Sequence, residues 1–169
     1  MDGEQDERPW RIRTAEAGDR EAVEAVVAEA FGVYLLRMNR KPYPMLDDYG
    51  AYIRAGQAFV LEAGGTERGS AALGSIRACI VLVPGADGAL SLEVLAVAGG
   101  SQGRGYGRAL VDFALRRAKA AGARRLKLYT NEVMAEARAF YARLGFTETS
   151  RALDAGYRRV FYELEVGMR

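Results

Sequence analysis

The stretch Leu92-Glu-Val-Leu-Ala-Val97, followed by Ser101-Gln-Gly-Arg-Gly-Tyr-Gly-Arg-Ala-Leu110, decides how this chain is read. The first part is an apolar strand. The second alternates Gly103, Gly105 and Gly107 with larger residues and runs into helical spacing, with Tyr106, Leu110, Phe113, Ala114, Ala118 and Ala121 on one face. A strand that passes through glycines into a helix gathers free N–H groups and the positive end of the helix dipole at one point. Such a point binds anions, and glycine lets the main chain approach them closely. Spacing sorts the glycine loops. A Walker loop needs Lys-Ser or Lys-Thr after its last glycine, where this chain has Gly107-Arg-Ala. The Rossmann fingerprint counted from Gly103 meets Arg108, and counted from Gly105 meets Leu110. What remains is Gln102-x-x-Gly105-x-Gly107, against the alternative of a tight strand-to-helix turn with no ligand.

Outward from this stretch the chain predicts mixed α and β structure. Upstream come a strand over 10–13, a helix N-capped by Asp19 that ends near Gly32, and a short helix over 45–55. Pro42 and Pro44 forbid one continuous helix across 33–44. A strand over 58–62, a turn at Gly64, Gly65 and Gly69, and a longer strand over 76–83 precede the turn 84–88 and the strand 90–97. Downstream of the loop the helix stops at Gly122, and Leu126, Leu128 and Thr130 alternate as a strand. A second amphipathic helix carries Val133, Ala137, Phe140, Tyr141 and Leu144, and strands follow over 146–149 and 157–166.

Composition narrows the chemistry. With 169 residues, half of them hydrophobic and 27% charged, the chain fits one soluble domain, with residues 1–8 expected as a flexible tail. No apolar run approaches the roughly 18 residues that span a bilayer, and the acidic start lacks the pattern of a secretory signal, so a cytoplasmic protein is expected. Cys79 is the single cysteine and there is no histidine, which excludes an intrachain disulfide and points to a site without metal. Cys79, in an apolar strand, reads as a small core residue. Residues 101–130 carry eight basic side chains against Asp112, a charge of +7 that leaves −5 for the rest. Two readings of that charge stand: a solvated helix face, or a field that draws a polyphosphate to this end of the fold. A nucleic-acid interface is not favoured, because the apolar residues of this segment face a core.

Leu92–Val97 with Gln102-Gly-Arg-Gly-Tyr-Gly107 resembles the acyl-CoA-binding motif of the GNAT superfamily of N-acetyltransferases. Thr130, Asn131, Met134 and Phe140-Tyr-Ala-Arg-Leu-Gly-Phe146 are similar to that family's second motif, and the order of elements fits over essentially the whole chain. The chain departs at Gly99, where relatives often carry proline, and at Ala137, where they often carry asparagine. The resemblance implies an α/β (α+β) fold: a mixed, mostly antiparallel sheet of six to seven strands, about four helices on both faces, and a splay between the fourth and fifth strands. It implies acetyl transfer from acetyl-CoA to a primary amine by direct attack, with a non-catalytic acyl-CoA sensor of the same fold as the alternative.

The resemblance also assigns residues. The loop Gln102, Gly103, Arg104, Gly105, Tyr106, Gly107 and Arg108 would hold the pyrophosphate of CoA, and the main chain of Leu95, Ala96 and Val97 would hold pantetheine. Tyr141 stands where the family places the acid that protonates the leaving thiolate; as a core aromatic it would only pack against Phe140. Glu93 is the candidate base, placed by strict alternation on the same side as Leu95 and Val97, with a solvated strand residue as the other reading. Asn131 either touches the cofactor or N-caps the following helix. Met45, Tyr49 and the stretch from Tyr34 to Tyr43 would form the lip for a small-molecule or peptide amine. The sequence leaves a homodimer open.

Overall fold

The computed structural model describes residues 9–64 and 75–168. The expected tail 1–8 and most of the expected turn at Gly65 and Gly69 lie outside the described residues. Among the described residues seven strands form one sheet in the order β1-β2-β3-β4-β5-β7-β6. They are β1 (Trp10–Thr14), β2 (Ala58–Ala63), β3 (Ser75–Pro84), β4 (Leu90–Val97), β5 (Arg125–Asn131), β6 (Thr147–Asp154) and β7 (Tyr157–Glu165). Every neighbouring pair is antiparallel except β4 and β5, which run parallel. That parallel pair is the crossover around α3 (Tyr106–Ala120), and it is short: only Leu90, Ser91 and Leu92 find partners, in Leu126, Lys127 and Leu128. Past Leu92 the two strands part, as the resemblance implied.

Alternation along the strands builds two cores. On one face Phe59, Leu61, Ile80, Leu126, Leu128, Val160 and Tyr162 meet α3 and α4 (Ala135–Arg143) through Leu110, Val111, Ala114 and Tyr141. On the other, Ala58, Val60, Cys79, Val81, Val94 and Ala96 meet α1 (Arg20–Gly32) and α2 (Tyr49–Arg54) through Val23, Val26, Val27 and Tyr49. β2 is buried along its whole length because its neighbours β1 and β3 cover its edges while both layers of helices cover its faces.

Several boundaries differ from the sequence reading. Asp19 occupies the N-cap position of α1 but makes no capping bond to that helix. Its carboxylate instead takes Arg13 at 2.7 and 2.9 Å and the Glu16 N–H at 2.7 Å, because a one-turn 3-10 helix precedes α1. The second helix begins at Tyr49 rather than residue 45, where Asp48 accepts from the Ala51 N–H at 3.1 Å; Tyr43–Met45 form a separate 3-10 turn with Pro42 at its N-cap and Pro44 inside it. Val133 lies outside α4 and is exposed. β6 continues to Asp154 although it is exposed throughout, because it is an edge strand paired only with β7 and its tight turn places Ala155 (φ 50°) and Gly156 (φ 83°) in the left-handed region.

Candidate active site

The parting of β4 and β5 opens a cavity of about 520 Å³. One end is the glycine loop. Gly105 is the N-cap of α3 at φ 80°, and nothing lies within 4 Å of the place its Cβ would take. The N–H groups of Tyr106, Gly107 and Arg108 open the helix with no acceptor among the described residues. Gly107 is needed for a different reason. A Cβ there would meet the Phe140 ring at 3.2 Å, so its smallness lets α4 close on the start of α3. Gln102 turns back to donate to the Val97 carbonyl at 3.4 Å, tying the loop to the end of β4. Gln102, Gly103, Gly105, Tyr106, Gly107 and Arg108 all line the cavity, whereas the exposed Arg104 does not.

The segment charge does not gather at this loop. Arg125 and Lys127 are held by Asp87 and Glu163, and Arg117 lies over the Phe59 ring at 4.7 Å. Arg104 and Arg108 are what remains near the helix start.

The middle of the cavity is where strict alternation fails. In the β3–β4 ladder Val81 pairs with Val94 and Leu82 with Leu92, so Glu93 is an extra residue at a bulge. The bulge reverses the expected facing. Leu95 and Val97 pack toward α3 and α4, while the Glu93 carboxylate accepts from the Ser91 hydroxyl at 2.8 Å and acts electrostatically on Asp47, Tyr52 and Tyr129. Glu93 and Leu95 therefore do not share a side, although both line the cavity. Ala96, expected to help hold a cofactor, points its methyl into the α1 core and its main chain toward Cys79 of β3, and it does not line the cavity.

Tyr141 enters from α4. It is 7% exposed, lies edge-on to Phe140 and Phe146 at centroid distances of 5.2 and 5.5 Å, and lines the cavity. Its hydroxyl has no hydrogen-bond partner among the described residues, and burial pushes its phenol well above the ordinary range. Asn131 does not cap α4, whose N-cap is Met134. Its side chain accepts from the Val133 N–H at 3.1 Å in the preceding turn and also lines the cavity.

The far end is walled by the segment between α1 and α2. Tyr34, Met38 and Tyr43 line it. The segment is held down by the Arg37–Glu136 fork at 2.7 Å, by Arg40 donating to the Ala155 carbonyl at 2.6 Å and by the Tyr157 hydroxyl donating to the Lys41 carbonyl at 2.8 Å. Tyr49 is not part of this lip. It is 2% exposed in the α1 core, and its hydroxyl donates to the Pro44 carbonyl at 2.5 Å, supporting the lip from behind. Sequence reasoning missed Arg159, Tyr129, Tyr157 and Asp47. The first three face this end because β5 and β7 pair in the register Tyr129↔Phe161 and Asn131↔Arg159. Only the alternation of Arg159 with Val160 and Tyr162 hinted at it.

The arrangement defines a class of protein: a sheet parted between its two parallel strands, with an anion-ready helix start at one mouth and aromatic and charged side chains at the other. The model of the acetyltransferase (GNAT) family matches residues 22–146, and the chain belongs to that family. Mycothiol acetyltransferase of Beutenbergia cavernae is 52% identical over 56 residues, which is 33% of this chain and 19% of that protein's length. Among solved structures, the PaiA N-acetyltransferase of Thermoplasma acidophilum in complex with coenzyme A is 16% identical with a TM-score of 0.71, covering 92% of this chain and 99% of that one. The ribosomal-protein-S18-alanine N-acetyltransferase of Escherichia coli is 19% identical with a TM-score of 0.63, covering 95% and 96%. Both share the fold.

Proposed function

We propose that the chain, acting as one domain, transfers the acetyl group of acetyl-CoA to a primary amine by direct attack. The observation that carries this reading is the cavity between the parted strands, which joins the glycine loop at one mouth to Glu93 and the tyrosine lip at the other. The donor fits the first mouth. The free N–H groups at the start of α3, the open space beside Gly105, and Arg104 and Arg108 nearby suit a pyrophosphate. Main-chain groups of Leu95 and Val97 point away from β3, have no β5 partner in the ladder and are available to pantetheine, whereas those of Ala96 are directed at Cys79 of β3. Acetyl-CoA supplies an activated thioester; what the chain supplies is placement and protons.

In this reading Tyr141 and Glu93 divide the proton traffic between the two faces of the gap. The amine enters past the lip, and Glu93, turned to that side by the bulge, takes its proton directly or through water. The new C–N bond forms as the C–S bond breaks, and the Tyr141 hydroxyl, kept protonated by burial, gives its proton to the departing sulfur. Unpaired β4 N–H groups serve as donors to the negative charge that develops on the carbonyl oxygen. Asn131 lines the same cavity and fits a cofactor contact. A lone buried thiol and a coenzyme A donor suit a cytoplasmic setting, and no described helix is long and apolar enough to cross a membrane.

The test is thiol release from acetyl-CoA across a panel of amines. Release that depends on the amine supports transfer. Binding of acetyl-CoA with no release on any amine would turn the reading to the sensor module.

A further inference from the structure

The lip end of the cavity holds a cation whose best donor edge is open. The Arg159 side chain is 12% exposed, and its guanidinium carbon lies over the rings of Tyr129 at 4.2 Å, Tyr43 at 5.4 Å and Tyr157 at 6.0 Å. All four residues line the cavity. Its Nη1 donates to Asp154 at 2.7 Å, and the Nε and Nη2 donors have no partner among the described residues. Asp154 itself is 57% exposed, so it neutralises Arg159 only from the solvent side. The three rings crowd the guanidinium, and its free Nε–Nη2 edge presents two parallel donors, the geometry that a carboxylate accepts.

The same end carries the opposite charge a short way off. The Tyr129 hydroxyl lies within the electrostatic reach of Arg159, Glu93 and Asp47 together. Asp47, hydrogen-bonded by Tyr52 at 3.4 Å, faces Glu93. An ammonium beside Glu93 would be attracted by both carboxylates, while a dianionic phosphate would be repelled by them. A single negative charge at Arg159 with an ammonium at Glu93 is the pattern of an amine that bears a carboxylate.

We propose that the acceptor belongs to that class, an amino acid or amino-acid-like molecule whose carboxylate is taken by the free edge of Arg159 while its amine lies at Glu93. The inference rests on the acetyl-transfer reading for the amine's fate, but the carboxylate site stands on its own geometry.

The experiment compares amino acids with their amides and with the corresponding decarboxylated amines, on the full chain with acetyl-CoA. The expected result is a kcat/KM about 10- to 100-fold higher for the carboxylated member, the range for a hydrogen-bonded charge. In Arg159→Gln that ratio falls to near one, and Arg159→Lys, which keeps the charge but loses the fork, restores only part of it. Amides or plain amines used as well as the acids, or a ratio unmoved in Arg159→Gln, overturn the proposal. If no acceptor releases thiol, the transfer reading fails while this one is still decided by thermal shift. Amino acids should then raise the Tm of the wild type and not of Arg159→Gln, and no shift with any of them overturns the carboxylate site.

Discussion

Tyr141 and Glu93 show how much a single residue owes to what surrounds it. Tyr141 is a tyrosine on the apolar face of a helix, which by itself describes a core residue as well as an acid. Its place on the cavity wall, with a hydroxyl that has no partner among the described residues and a phenol kept protonated by burial, is what suits it to donate. Tyr141→Phe should lower kcat by roughly 100-fold or more, the lower end for a lost general acid, while the KM for acetyl-CoA changes little. Glu93→Gln in parallel should lower kcat and alter the pH–rate profile. Unchanged turnover in the first variant, or an unmoved profile in the second, removes that residue from the mechanism. Alternation assigned Glu93 to the side of Leu95, and the bulge moved it to the other. An inserted residue at a bulge leaves no mark in a pattern of apolar and polar residues.

At the scale of elements, most of the strands and helices were legible because their periods were clean. β4 has the predicted bounds, and α1 and α3 end near the glycines that were read as stops. What escaped was structure without a buried face, such as the second half of β6, or turns competing with a helix, as before Tyr49. The glycine loop divides its work between positions that look alike in sequence. Gly105 is required by its left-handed φ of 80°, and Gly107 by the Phe140 ring at 3.2 Å. Gly105→Val puts a β-branched residue where the left-handed conformation costs about 1–2 kcal/mol, so the loop should shift and the acetyl-CoA KM rise about 5- to 30-fold. A normal KM measured on the folded variant would return the loop to a mere turn.

At the scale of the molecule, the sheet is two halves joined across a three-residue parallel ladder, with the proposed donor site in the gap between them. A ligand there touches β4, the start of α3 and α4 at once, and should stabilise the whole fold. Acetyl-CoA at about 100 times its Kd contributes about 2.7 kcal/mol, which for a chain of this size raises Tm by about 5–10 °C. No shift in a melting curve at that ratio would speak against a donor site in the gap.

The sequence by itself determined the order of elements, the glycine loop, the absence of histidine and the pairing of two motifs that leads to the family. Each of these is local: a period, a spacing or a residue type. The tertiary structure alone decided which side Glu93 faces, that Tyr49 supports the lip from the core, and that Arg159 stands among three tyrosines with an edge free. Those depend on strand register, a bulge and the fold of the segment between α1 and α2 over β5 and β7. Contacts between residues far apart in the chain are set by packing, and no short stretch of sequence records them.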